Sequence, residues 1–220
     1  MGYQACTGGK IKSVTNSCNG YQACFNAGAA GGVGDLTDSC NDFQACYAAG
    51  TSGEVGDLTN ACNDVFACQY AGYSGEVGDL TNACNDYQAC YFAGYSGEVG
   101  DLTDACNYVF ACQYAGYSGG VIGNLTNACN DVFACQYAGY SDGVVGNLTN
   151  ACNDYQACFN AVAAGGVGDL TDSCNDNQAC TYAGYSDGVV GNLTNACNDH
   201  QACYFAGAVG GVGQFDQRLQ

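Results

Sequence analysis

Apolar and polar positions recur along this chain with a fixed period. The clearest copy runs Cys62-Asn63-Asp64-Val65-Phe66-Ala67-Cys68-Gln69-Tyr70-Ala71-Gly72. The leading cysteine returns at Cys18, Cys40, Cys62, Cys84, Cys106, Cys129, Cys152, Cys174 and Cys197, a period of 22 or 23 residues. Each is followed six residues later by a second, at Cys24, Cys46, Cys68, Cys90, Cys112, Cys135, Cys158, Cys180 and Cys203. Such a repeat specifies a stack of similar units, each touching only its neighbours. Within the unit the places of Ala67, Cys68 and Ala71 are nearly fixed, whereas those of Val65, Phe66, Gln69 and Tyr70 vary between copies. Spacing by three and four is the signature of one helical face, so the pattern predicts a two-turn helix. Asn63 would cap its start and Gly72 would be the left-handed residue past its end.

Ahead of this unit, Gly56-Asp57-Leu58-Thr59-Asn60-Ala61 alternates over a short run, with Leu58 inward and Asp57 and Thr59 outward, as in a strand. Stacked copies would form a parallel sheet with a leucine column at Leu36, Leu58, Leu80, Leu102, Leu125, Leu148, Leu170 and Leu193. The expected fold is therefore an α/β solenoid of 22- to 23-residue repeats, one short strand and one short helix per repeat. An all-β solenoid is the alternative, because Val and aromatic residues in the variable places suit strands. The strand-plus-helix unit resembles the leucine-rich-repeat type of solenoid in architecture, although no leucine-rich consensus is matched. By repeat counting, residues 1–17 are a partial repeat with a variant edge, 18–213 are nine tandem repeats forming one solenoid, and 214–220 are a partial terminal strand.

Composition changes the picture in two ways. The chain of 220 residues carries 19 cysteines, 34 glycines and no proline or tryptophan, a composition typical of disulfide scaffolds in an oxidising compartment. Its formal charge is −18, and Lys10, Lys12 and Arg218 are its only Lys or Arg residues. This balance argues against nucleic acid and anionic membranes as partners, and favours cations or glycans. No run approaches the length of a membrane-spanning helix.

The Cys-x5-Cys pairs suit disulfides better than zinc, which uses closer spacing and four ligands. Pairing within a repeat is the simplest arrangement, and pairing of each second cysteine to the next repeat's first is the competitor. Asp35, Asp57, Asp79, Asp101 and Asp169 would stack outward at strand spacing, where like charges repel, so weak calcium binding is a candidate role. No other cofactor is expected. Asn124, Asn147 and Asn192 take the same place in the 23-residue copies, and each opens an Asn-Leu-Thr glycosylation sequon.

No nucleophile–base pair, phosphate loop or metal triad stands out, so an enzyme is not expected. The expected function is a secreted or cell-surface structural repeat protein, assembling head to tail into fibres or an extracellular matrix. The alternative is a ligand-binding solenoid whose ligand is ice, calcium or a glycan. The ice version rests on a resemblance to insect antifreeze solenoids, which similarly pair cysteines five residues apart beneath a threonine array.

Overall fold

The computed structural model describes residues 14–16, 31–44, 46–48, 50–161, 165–186 and 188–204. Nine two-residue strands stack as one parallel sheet in chain order: Val14–Thr15, Leu36–Thr37, Leu58–Thr59, Leu80–Thr81, Leu102–Thr103, Leu125–Thr126, Leu148–Thr149, Leu170–Thr171 and Leu193–Thr194. Register is kept throughout, with leucine beside leucine and threonine beside threonine from Leu36–Thr37 onward. Three residues upstream a second column links Val33, Val55, Val77, Val99 and Ile122, and continues through Val145, Val167 and Val190.

Among the described residues there is no α-helix, so the fold is a β-solenoid and the strand-plus-helix expectation is corrected. The stretch expected to be helical is interrupted by left-handed residues: φ is +57° at Cys62, +60° at Phe66, +53° at Cys68 and +59° at Gly72. A right-handed helix cannot run through such positions. The segment instead folds as successive tight turns, in which the amides of Ala67, Ala71 and Gly75 donate to the carbonyls of Asp64, Cys68 and Gly72 at 2.9–3.0 Å. Other amides of this side bond to the neighbouring coil. Cys90, Phe92, Gly94 and Ser96 donate to Ala67, Gln69, Ala71 and Tyr73 at 2.8–3.1 Å. The spacing of three and four is thus real, but it reports the distance from one turn to the next.

The interior is one side chain deep. Val55 and Leu58 enter from the strand side, while Ala61, Ala67, Ala71 and the Cys62–Cys68 disulfide fill the opposite wall, all of them buried. Alanine and cysteine are fixed here because coils stacked at strand spacing leave no depth for a larger second layer. Glycine is required where backbones approach most closely. A Cβ at Gly78 would lie 2.8 Å from the Asp57 amide nitrogen and against the Asp57 carboxylate.

The extra residue of the longer repeats sits at one corner. Gly119 and Asp142 take it up in left-handed conformation, φ +76° and +60°, and the short second sheet Val121–Ile122 with Val144–Val145 follows immediately. The strand side of the coil is unaffected, since Leu125 and Leu148 keep register with Leu102.

Candidate functional site

The nine-stranded sheet places one threonine per coil in a straight column from Thr37 to Thr194. Beside it runs the column Asp35, Asp57, Asp79, Asp101, Asn124, Asn147, Asp169 and Asn192, exposed along its whole length. These side chains form a hydrogen-bond ladder rather than a free row of charges. Oδ1 of each residue from Asp35 to Asp169 accepts the amide of the equivalent residue one coil on, at 3.2 Å for the Asp57 amide on Asp35 and 2.7 Å for the Asn192 amide on Asp169. Aspartate and asparagine supply the same acceptor, which explains why they exchange at this place. Bonds to a charged acceptor also offset part of the like-charge repulsion. All five aspartates serve as acceptors in this ladder.

A third column, Asp38, Asn60, Asn82, Asp104, Asn127, Asn150, Asp172 and Asn195, ends each strand at φ +47° to +50°. Asn and Asp are the non-glycine residues that tolerate this conformation best. The amides of these residues continue the strand bonding, as in Asn60 donating to Thr81 at 3.0 Å.

A fourth ladder occupies the place expected to cap a helix. Asn63 Oδ1 accepts the Asn85 amide at 2.8 Å and its Nδ2 donates to the Asn82 carbonyl at 2.9 Å. Asn85, Asn107, Asn130, Asn153 and Asn175 repeat the pattern. The residue type was legible as an amide acceptor, but the amide it accepts belongs to the next coil.

These bonds predict an asymmetric mutational outcome. Asp79→Asn keeps the acceptor for the Asp101 amide and is expected to change stability by less than about 0.5 kcal/mol. Asp79→Ala removes it and should cost about 1 kcal/mol, and Gly78→Ala should cost roughly 1–3 kcal/mol by forcing the coils apart. Denaturant melts of the three variants check the order.

On the opposite side of the coil the variable aromatics gather into a double column. Tyr70, Phe92, Tyr114 and Tyr137 stack with centroids 5.1–5.3 Å apart. Tyr73, Tyr95, Tyr117 and Tyr140 stack beside them at 4.8–5.2 Å and within 15° of parallel. Ring faces are therefore covered by neighbouring rings, and what meets solvent is a row of edges. Gln69, Gln113 and Gln136 lie buried, with Gln113 Nε2 donating to Gln136 Oε1 at 2.6 Å. Sequence reasoning singled out the variable places but missed the Tyr73 column. The recurring Ala-Gly-Tyr-Ser string, as at Ala71–Ser74 and Ala93–Ser96, was the available signal.

Burial pushes the Tyr47 phenol up to about 12, helped by its hydrogen bond and proximity to Tyr70. Burial likewise raises Tyr91, with Tyr114 adding to it. A phenol whose pKa is raised on folding contributes stability below its ordinary value of about 10, and that contribution is lost as pH climbs through the folded value. For Tyr47 the window is pH 10 to 12. A rapid spectrophotometric titration should show part of the phenol population ionising above the ordinary range, and unfolding in denaturant should abolish that lag.

The structure joins Cys40 to Cys46, Cys62 to Cys68, Cys84 to Cys90, Cys106 to Cys112, Cys129 to Cys135, Cys152 to Cys158, Cys174 to Cys180 and Cys197 to Cys203. The sulfurs of Cys40, Cys62 and Cys68 converge within 4.8 Å, but all three are spent in disulfides and none is a thiolate ligand. Cys18 and Cys24 lie outside the described residues, as do Lys10, Lys12, Arg218 and the edges through which head-to-tail assembly was expected. Among the described residues no helix is long and apolar enough to cross a membrane. Together these features make the chain a cysteine-stapled tandem-repeat solenoid.

The family model of a domain of unknown function, DUF7640, matches residues 1–81. No curated protein and no solved structure matches the chain.

Proposed function

We propose that the protein is a non-catalytic extracellular module that binds an extended, repetitive ligand through its threonine/Asx face, and that the ligand is ice. The observation that carries this reading is the in-register threonine column flanked by two Asx columns. Each coil repeats the same donors and acceptors at strand spacing, about 4.8 Å. That spacing is of the same order as the oxygen repeat of an ice surface. The face is also rigid, because its Asx side chains and backbone amides are tied from coil to coil. A rigid regular array meets a crystalline ligand with little ordering cost. The eight disulfides fit an oxidising, extracellular setting. The tyrosine column serves a glycan ligand less well, because ring faces on which sugars would stack are turned toward one another within it.

In the same reading Asn124 and Asn147 serve the ladder and do not both carry glycans. Asn124 Oδ1 accepts the Asn147 amide at 2.9 Å, which leaves these neighbours one strand spacing apart. Two glycans do not fit side by side at that distance. Treatment with N-glycosidase should therefore release at most one glycan from the segment that holds Asn124 and Asn147.

Ice recrystallisation inhibition and thermal hysteresis test the proposal. The unaltered protein should slow recrystallisation and facet ice crystals, and Thr81→Tyr with Thr103→Tyr should lower activity at least tenfold while preserving the circular dichroism spectrum. Tyr117→Phe on the opposite side should leave activity intact. No effect of the unaltered protein beyond that of an inert protein at equal mass would refute the ice reading.

A further inference from the structure

The tyrosine column on the side opposite the sheet is arranged for oxidative coupling, and we propose that Tyr73 and Tyr95 form a dityrosine cross-link between neighbouring coils, made by a peroxidase-type one-electron oxidant using hydrogen peroxide. The two rings stack with centroids 4.8 Å apart and planes 2° from parallel. Both are half-buried, so each keeps an edge in solvent. The run continues as tyrosine through Tyr117 and Tyr140 at 5.0 and 5.2 Å. In the adjacent column Phe92 interrupts the sequence of phenols, because it has no phenolic hydrogen to lose.

The chemistry balances. Each phenol gives up one electron and one proton, and the two phenoxyl radicals join through ring carbons ortho to oxygen. The ortho hydrogens then leave carbon as protons and the phenolic hydroxyls are restored. Two tyrosines lose two hydrogens in total, and one hydrogen peroxide takes them up as two waters. Burial and the neighbouring phenols hold Tyr95 above its ordinary value, so the group oxidised at neutral pH is the protonated phenol, and the proton leaves with the electron. Placing one radical next to another phenol converts a bimolecular encounter into an intramolecular one, which is worth orders of magnitude in rate. Half-exposed side chains reorient fast enough to bring the ortho carbons together within the life of a radical.

Such a bond would add what the disulfides do not. Every disulfide of the described residues closes a loop within one coil, with sequence separation 6. Among the described residues coil is held to coil only by hydrogen bonds, packing and the chain itself. A Tyr73–Tyr95 link would lock two coils covalently and fix their register against shear.

The three glutamates make the test clean. Cleavage after Glu54, Glu76 and Glu98 releases residues 55–76, which carry Tyr70 and Tyr73, and 77–98, which carry Tyr87, Tyr91 and Tyr95, so single Phe variants assign the linked pair. Folded protein, an equal mixture of isotope-labelled and unlabelled chains, is treated with peroxide and a haem peroxidase, then reduced, alkylated, digested and weighed. The expected product is 55–76 joined to 77–98 with the loss of two hydrogens, both halves carrying the same label, absent from Tyr73→Phe, from Tyr95→Phe and from protein reduced and unfolded before treatment. Links only between differently labelled chains, persistence of the joined product in Tyr95→Phe, or modification led by Tyr108, which is 45% exposed and outside the column, would each overturn the proposal.

Discussion

Reduction of the disulfides under otherwise native conditions is expected to unfold the solenoid. Each staple closes a short loop, worth about 2 kcal/mol in the chain-entropy account. Taken over the eight described disulfides, that sum equals or exceeds the roughly 5–15 kcal/mol by which folded domains are stable. The thin core explains the dependence, because alanine and half-cystine opposite Val and Leu bury little apolar area per residue. A reductant able to reach these buried sulfurs should therefore abolish the sheet signal in far-ultraviolet circular dichroism. Replacing one pair, Cys106→Ala with Cys112→Ala, should cost at least the 2 kcal/mol of a single loop, plus a cavity contribution. A fully reduced protein that keeps its spectrum and melting temperature would mean that packing and ladders alone suffice.

Leu102→Ala should have the largest effect of any single apolar truncation near the middle of the stack. Leu102 is buried between Leu80 and Leu125 in the leucine column. Truncation at a site that cannot collapse costs roughly 2–5 kcal/mol, and regular stacking denies the neighbouring coils any freedom to close the gap. Leu102→Met, which conserves volume, should cost less than about 1.5 kcal/mol. Because each coil contacts only its neighbours, hydrogen exchange in Leu102→Ala should accelerate first near that coil and less toward Leu170. A loss below about 1 kcal/mol, or acceleration spread evenly along the stack, would contradict the packing described here.

The strand side of the coil was readable from residues alone. Alternation around Leu58 and Thr59 gave the inward and outward positions, and the fixed period gave the parallel sheet. The other side was misread because a helix and a string of tight turns both repeat every three to four residues. What separates them is the left-handed conformation of Cys62, Phe66 and Cys68, and intrinsic preference does not announce it, since Asn, Asp and Gly are the residues that favour such φ values. Bonds from the neighbouring coil impose it, and a single repeat read by itself contains no record of them. The side-chain columns were legible in part. Interchange of Asp and Asn at the place of Asp57 was visible, but it read as a glycosylation sequon; the shared acceptor oxygen behind it, like the destination of Asn63 Oδ1, depended on coil-to-coil register.

Both faces, the threonine/Asx array and the tyrosine column, exist only if neighbouring coils are hydrogen-bonded in register along the turn side as well as the strand side. Scalar couplings across hydrogen bonds, measured by NMR on isotope-labelled protein, detect such pairs individually. A coupling from the Cys90 amide to the Ala67 carbonyl, matched by those from Phe92 to Gln69 and from Gly94 to Ala71, is the expected result. Couplings from the Gly72 amide to the Cys68 carbonyl and from Ala71 to Ala67, each four residues back within one repeat, would instead establish a helix and contradict the β-solenoid.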